Sequence, residues 1–222
     1  MMQDRINLQK TVADSVLSKL ELLDRYCIVA GGAPRDWYLG NVATDIDVYL
    51  YYPTSNSAKQ RVQLLNELGF KINNSHENWQ KSELYETNHN ILYLYNCEYL
   101  NEKIQIIFVN KPTFTSVVDT FPISISKVWY KNGNIRTTED FEYSVYYKII
   151  WKTVDSYPET NKYIQKIKNK FSDYKYIDKV QLIIYQKLQD IKKQFIKVYR
   201  SSSEEEKQIL KYNLQSWLNE NL

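Results

Sequence analysis

Residues 26–47 of this chain read YCIVAGGAPRDWYLGNVATDID. The apolar, β-prone run Tyr26–Ala30 stops at Gly31 and Gly32, and this pattern predicts a strand, a tight turn and a short helix. Backbone N–H groups at such a turn and at a helix N-terminus are suited to bind phosphate. The stretch therefore indicates a phosphate-binding turn.

Two carboxylates follow the turn, at Asp45 and Asp47. Residues i and i+2 of a strand point to the same side, so we expect both carboxylates on one face while Ile46 enters the core. Two such groups repel each other unless a divalent cation lies between them. Since Mg²⁺ binds one or two carboxylates together with substrate phosphates, the pattern predicts a site for Mg²⁺ or Mn²⁺ and a nucleoside triphosphate.

The same residues resemble the GGxxRDxxLG…DIDxx signature of polymerase-β-like nucleotidyltransferases, here Gly31–Gly40 followed by Thr44–Val48. The likeness covers about 25 residues, and within the superfamily it is closest to the head domain of tRNA CCA-adding enzymes and bacterial poly(A) polymerases. The resemblance implies transfer of a nucleoside monophosphate from an NTP to an acceptor hydroxyl.

By that resemblance, Asp45 and Asp47 are the catalytic, metal-binding residues. The amides of Gly31 and Gly32 and the guanidinium of Arg35 would face the triphosphate, because arginine can grip phosphate oxygens in bidentate fashion. A surface ion pair of Arg35 with its neighbour in the sequence is the alternative. That neighbour, Asp36, is expected to support the loop.

The chain also departs from the superfamily pattern. A third carboxylate usually comes from a later strand antiparallel to the one that carries DxD, and the candidate strand has Gln105 there. Glu102 or Asp119 could approach instead, and Asp119 could equally cap a turn. The second motif of the CCA-type head is broken by Pro122, and the base-selecting EDxxR motif is echoed at residues 139–143 without its arginine.

The predicted fold class is α+β, with a nucleotidyltransferase-type mixed sheet that has helices on one side and a mostly helical C-terminal region after it. Apolar spacings of three and four predict an amphipathic helix from Asn7 to Asp24. Asn132-Gly133 predicts a β-hairpin. Further strands are predicted at 45–52, 70–72, 91–96 and 104–109, and further helices at 58–68, 140–154, 161–171, 179–200 and 203–218.

The balance of charge changes near residue 140, where the predicted helical C-terminal region begins. This change suggests a head domain at 1–139 and a basic helical region at 140–222. Residues 1–140 hold 14 Lys and Arg against 16 Asp and Glu, whereas residues 141–222 hold 15 against 10. A basic region beside a catalytic head suits a polyanionic acceptor, although lysines on helices also form ordinary solvated faces. Lys148 and Lys152 lie one turn apart on a predicted helix and could contact triphosphate or acceptor.

Together these features predict a Mg²⁺-dependent nucleotidyltransferase whose favoured acceptor is a tRNA-like RNA 3′ end. Two alternatives stay open: nucleotidylation of a protein or small molecule, and a non-catalytic nucleotide-binding module. The sequence has no apolar run of transmembrane length and no signal-peptide pattern, so a cytoplasmic protein without a membrane partner is expected. The Lys-, Asn-, Ile- and Tyr-rich composition is common in AT-rich genomes, including those of many phages.

Overall fold

A computed structural model describes residues 2–51, 58–72, 91–109, 114–154 and 162–221. Seven strands form one sheet in the order β3-β4-β5-β2-β1-β6-β7, and β8 and β9 form a separate ribbon. The strands are β1 (Ile28–Ala30), β2 (Ile46–Tyr51), β3 (Lys71–Ile72), β4 (Ile91–Tyr99), β5 (Glu102–Val109), β6 (Val128–Lys131), β7 (Asn134–Thr137), β8 (Ile149–Trp151) and β9 (Lys175–Ile177).

The helices in the described residues confirm the predicted α+β class. They are α1 (Met2–Leu20), α2 (Gly32–Tyr38), α3 (Ala58–Glu67), α4 (Phe114–Asp119), α5 (Glu139–Tyr147), α6 (Lys162–Lys170), α7 (Lys179–Ser201) and α8 (Glu204–Asn221), with a 3₁₀ turn at Ser124–Ser126. Not one of these described helices combines the length and apolar character that crossing a bilayer requires. Tyr52 and Asn161, at the ends of two predicted elements, lie outside the described residues.

The two faces of the sheet are covered differently. Alternate residues of β2 and β5, such as Val48 and Ile106, pack with α1, α2 and α3 in the larger core cluster. The predicted periodicity of α1 is confirmed at Val12, Val16 and Leu20, which are all buried. The opposite face, which includes Tyr49 and Ile107, is covered in part by the short helix α4. The long N-terminal helices therefore share one side, and the other side remains available for a cavity.

β2 and β5 run parallel, with Asp47 paired to Gln105, whereas the other strand pairs of the large sheet are antiparallel. The predicted antiparallel relation of these two strands is therefore wrong. The reason is that β4 lies between them in the chain and pairs antiparallel to β5, which returns β5 to the direction of β2. The hairpin at Asn132-Gly133 is confirmed, and both residues have positive φ angles as a tight hairpin turn requires.

The helix predicted from Asp140 to Val154 ends at Tyr147. Lys148 takes the left-handed conformation with φ 52° and stops the helix, and the apolar residues that follow form β8. The Lys175 N–H donates to the Lys148 carbonyl at 2.8 Å and joins β9 to this ribbon. Ile149 to Trp151 are β-branched or aromatic and fully buried, which favours a strand over a continued helix.

The chain forms two compact units that divide between residues 176 and 177, and the boundary at 139/140 stays a prediction. The first unit extends further because α5, β8 and α6 share a core cluster with Ile123, Ile125 and Val128. The second unit contains α7 and α8. The last helix has a capped start, where Ser203 and Glu206 exchange hydrogen bonds between side chain and backbone.

Candidate active site

The acidic pair lies at the start of β2. Ile46 is fully buried in the larger core, and Asp47 occupies the other face, as the alternation of the strand predicts. Asp45 and Asp47 line one cavity of about 280 Å³. The Oδ1 atom of Asp47 is shielded from solvent and accepts no hydrogen bond from any described residue. A shielded carboxylate oxygen without a donor is costly, so this atom indicates a missing ligand.

Burial and, after it, the neighbouring charge of Asp45 raise the pKa of Asp47 to about 7, and this value already includes the opposing charges of Lys166 and Arg35. In the absence of a cation, Asp47 therefore binds a proton more tightly than an ordinary carboxyl group. A bound divalent cation would reverse this preference because it stabilises the ionised carboxylates.

The cavity is built from five parts of the first unit. They are the turn before α2 together with α2 itself, the start of β2, the middle of the paired strands β4 and β5, the segment after α4, and α6. Its lining residues are Gly31, Gly32, Arg35, Asp36, Thr44, Asp45, Asp47, Tyr49, Leu94, Asn96, Gln105, Phe121, Pro122, Tyr163, Lys166, Ile167 and Lys170. Three carboxylates and three cationic side chains face this small volume, an arrangement suited to charged ligands.

The glycine turn contributes differently from the prediction. Gly31 has φ 81°, a conformation that glycine adopts without strain, and its N–H donates to the Val128 carbonyl at 2.9 Å. That amide is therefore engaged with β6 and is not available to a phosphate in this conformation. Gly32 is the first residue of α2, a position where helix amides lack intrahelical partners. Both glycines line the cavity, and Gly32 retains the predicted relation to it.

Arg35 and Asp36 form a buried ion pair, not a surface pair. The Arg35 Nε donates to Asp36 Oδ1 at 3.0 Å, and both side chains are about 5% exposed. Lys170 of α6 donates to the other Asp36 oxygen at 2.7 Å. The Arg35 guanidinium also lies 5.2 Å from the centre of the Phe171 ring. This cluster connects the turn to α6, and the role of Asp36 as a loop support stays a prediction.

Gln105 lies beside Asp47 on the adjacent strand and lines the cavity, at the place where a third carboxylate was sought. Its Nε2 donates to Asn96 Oδ1 at 3.0 Å on the next strand. Glu102 is on the opposite face of β5, where it pairs with Arg5, so it does not approach the acidic pair. Asp119 is exposed at the end of α4 and is not part of the cavity lining.

The two lysines that the sequence suggested as ligands, Lys148 and Lys152, lie outside the lining of the cavity. Lys148 pairs with Asp173 at 2.9 Å, and this ion pair raises the lysine pKa. Lys152 forms a β-bridge with Ile123. Neither lines the cavity, because the helix that would have placed them on one face ends before them. The cavity lining gives no support to their predicted contact with triphosphate or acceptor, which stays a prediction.

Sequence reasoning missed the contribution of α6. Four of its residues, Tyr163, Lys166, Ile167 and Lys170, line the cavity at spacings of three and four. The helix itself was predicted, and the lysines at positions 162, 166 and 170 recur every four residues, which was the available signal. The sequence could not show that this face covers the acidic pair, because that depends on tertiary packing.

The segment at the place of the second head motif and the segment that echoes the base-selecting motif lie in different parts of the molecule. In the first of these segments, Phe121 and Pro122 are lining residues of the cavity. In the second, Asp140 pairs with Lys127 at 2.9 Å and Glu142 accepts a hydrogen bond from Thr137. Because these acids serve the start of α5 and are not among the lining residues, this segment provides no base-reading group in the described site.

The residues present fit a divalent cation. Asp45 and Asp47 supply oxygen ligands on one face, and the partnerless Oδ1 atom is an available ligand. The described residues contain no group of three or more His, Cys, Asp or Glu side chains with metal-binding spacing. This donor set suits Mg²⁺ or Mn²⁺, which complete their coordination with substrate phosphates and water.

A sequence profile of the Gabija anti-defense 2 family matches residues 6–148, well over half of the chain. Among solved structures, a CCA-adding enzyme in complex with CTP is similar at 14% identity and TM-score 0.56 over 85% of this chain and 45% of that one. An apo CCA-adding enzyme is similar at 12% identity and TM-score 0.54, over 81% and 42%. No curated protein sequence matches. The chain spans less than half of either structure, and the likeness confirms a nucleotidyltransferase-like fold.

Proposed function

The chain belongs to the Gabija anti-defense 2 family, and we propose that it is a Mg²⁺-dependent nucleotidyltransferase that moves a nucleoside monophosphate from an NTP to an acceptor hydroxyl. One observation carries the proposal: the partnerless Asp47 oxygen lies with Asp45 in a cavity that also presents cationic side chains. Paired carboxylates opposite cations suit a metal–triphosphate complex better than an apolar ligand.

In the proposed reaction, the acceptor oxygen forms a bond to the α-phosphorus of the NTP, and the bond to the pyrophosphate leaving group breaks. Asp45 and Asp47 would hold the metal. When bound, Mg²⁺ supplies positive charge that favours the ionised acceptor oxygen and offsets the charge of the leaving group. Asp47 must lose its proton to serve as a ligand. Its pKa of about 7 in the metal-free protein therefore links binding to proton release.

The favoured acceptor is an RNA 3′ end. Residues 141–222 carry an excess of five positive charges, and phosphate contacts from such regions supply much of the affinity for nucleic acids. The similar CCA-adding structures support the same class of acceptor at the level of the fold.

A protein acceptor is the second candidate. In the segment that echoes the base-selecting motif, Asp140 and Glu142 make their contacts around the start of α5. They are therefore not available to select a base during RNA extension. The name of the family points to a target within a defence system. Nucleotidylation of such a target would need no RNA acceptor.

The test is incubation of the purified chain with each labelled NTP, Mg²⁺ or Mn²⁺, and either total RNA or cell extract. We expect label on a macromolecule, with a loss of at least about 100-fold in Asp45→Asn and Asp47→Asn, since even outer-shell changes at metal sites cost about 10–100-fold. Asp190→Asn, which changes an exposed residue of α7, is the control and should retain activity.

The identity of the labelled molecule separates RNA from protein as the acceptor. Full activity in either site variant would overturn the assignment of the acidic pair. Tight NTP binding without pyrophosphate release would instead support a non-catalytic nucleotide-binding module.

A further inference from the structure

The cavity is incomplete within the part of the chain that matches the family. That match ends at residue 148, yet α6, at Lys162–Lys170, supplies one wall. We propose that Lys166 of α6 is a ligand for the phosphate groups of the substrate and that the Lys170–Asp36 ion pair positions α6 for this role. This inference rests on the proposed function and adds residues to the same site.

The orientation of α6 is fixed by its buried side. Ile164 and Ile167 are almost fully buried in a cluster with Ile125, Phe141 and Ile150. Since residues three and four apart lie on the same helix face, burial of this side sets the rotation of the helix. The helix then presents Lys166 and Lys170 to the cavity.

The position of α6 relative to the turn is fixed at a second place. Lys170 Nζ lies 2.7 Å from Asp36 Oδ2, and the Asp36 side chain is about 5% exposed. The Arg35 guanidinium contacts the ring of Phe171, the residue directly after α6. Because a partly buried charged hydrogen bond has strict geometry, these contacts limit where Lys166 can lie.

The lysines of the cavity differ in their partners. Lys170 and Arg35 both bond to Asp36, so their charges are already balanced in part. Lys166 is exposed, and among the described residues it makes no ion pair. It is nevertheless close enough for its charge to oppose the raised pKa of Asp47. Lys166 is thus the cavity cation that remains available to an incoming ligand.

Charge identifies that ligand as phosphate. The cavity lining has three carboxylates and three cations, and Asp45 and Asp47 are assigned to the metal. A lysine ammonium binds phosphate oxygens as a point charge, and the departing pyrophosphate gains negative charge during transfer. Lys166 is placed to stabilise that charge, a role that requires only a cation within reach.

The first experiment measures binding of inorganic pyrophosphate with Mg²⁺ by titration calorimetry, which avoids the unknown identity of the base. We expect Lys166→Gln to weaken binding about tenfold or more, since loss of a charged hydrogen bond has effects of this size. Lys166→Arg should restore most of the affinity. Lys168→Gln is the matched control: it removes the same charge from the same helix, but this lysine lies over the Tyr176 ring and outside the cavity.

The outcomes separate the two proposals. If the unmodified protein binds neither pyrophosphate nor any NTP, the proposed function fails. If it binds them and Lys166→Gln equals Lys168→Gln, only the role of Lys166 is overturned. Equal thermal unfolding of the two variants would show that the difference is not a folding defect.

A double-mutant cycle tests the positioning role of Lys170. Lys170→Gln and Asp36→Asn should each weaken pyrophosphate binding, and the double variant should lose little more than either single variant. Additive losses would show that the two residues act independently and would overturn the positioning role.

Discussion

Two carboxylates on the neighbouring strands β2 and β5 have opposite surroundings. Glu102, on the α1 side of the sheet, pairs with Arg5 and accepts a hydrogen bond from Gln9 Nε2 at 3.1 Å. Asp47, on the cavity side, has a shielded oxygen that no described residue bonds. The sheet therefore provides partners for the acid on the side that packs against α1, which we call its structural face. On the cavity side, its reactive face, no described residue provides a partner for the shielded Asp47 oxygen. Burial alone therefore does not distinguish the two acids, whereas the ion pair that Glu102 has and Asp47 lacks among the described residues does.

The structural face also supports the reactive one through Gln9. Its Oε1 accepts hydrogen bonds from Trp37 Nε1 and from the Ala43 N–H, both at 3.0 Å, and its Nε2 donates to the Ala43 carbonyl at 2.9 Å. Ala43 precedes Asp45 by two residues, so a side chain of α1 fixes the backbone that leads into the acidic pair.

The largest predicted change in stability comes from removing Gln9. In Gln9→Leu, the Trp37 indole and both backbone groups of Ala43 lose partners, and we expect the free energy of unfolding to fall by about 2–4 kcal/mol. Urea unfolding measures this, with the exposed Gln3→Leu on the same helix as the control. The affinity for Mg²⁺–NTP should fall as well. An unchanged affinity would show that Gln9 does not support the acidic pair and would contradict this prediction.

Removing Glu102 should have a smaller effect. We expect Glu102→Ala to lower the free energy of unfolding by about 1–3 kcal/mol, because Gln9 loses one acceptor while the partly exposed Arg5 can be solvated. Transfer activity per folded molecule should persist. Glu67→Ala, an exposed change on α3, is the reference in the same urea experiment. A large loss of activity with intact stability would contradict the contrast between the two acids.

A third expected effect is a dependence of stability on pH that only the unmodified cavity shows. The pKa of Asp47 rises from 3.8 to about 7 on folding, so the native state binds a proton more tightly than the unfolded chain between these values. Without metal, stability should therefore fall as pH rises from about 4 to about 7, by at most about 1.4 kcal/mol per pH unit for one proton. Urea unfolding in EDTA measures the slope. The Asp47→Asn variant should lack this part of the pH dependence. Identical plots of unfolding free energy against pH for the variant and the unmodified protein would refute the prediction.

Local patterns predicted the centre of the molecule well. The glycines and the DxD spacing predicted strand, turn, helix and a shared face for the two carboxylates, because these depend on φ angles and on the strand period. Asn132-Gly133 predicted its hairpin for the same reason. The end of α5 was missed since a non-glycine residue, Lys148, adopts the left-handed conformation there.

What depends on distant contacts could not be predicted. The parallel direction of β5 follows from an excursion through β3 and β4. Gln9 is a polar residue within an apolar helix face, and its partners lie 28, 34 and 93 positions away. Lys166 could be identified only after α6 had been placed over the cavity.

The parallel pairing of β2 and β5 also has a consequence for the order of folding. Ile46 pairs with Ile104, roughly sixty residues later, so this pairing closes a long loop before it gains contacts. On a ribosome, β2 would emerge well before its partner strand. The acidic pair would then acquire its neighbour Gln105 late, and the wall from α6 later still. Competence to hold a ligand should therefore appear among the last events of folding, after the hairpin of β6 and β7 has the local contacts it needs to form.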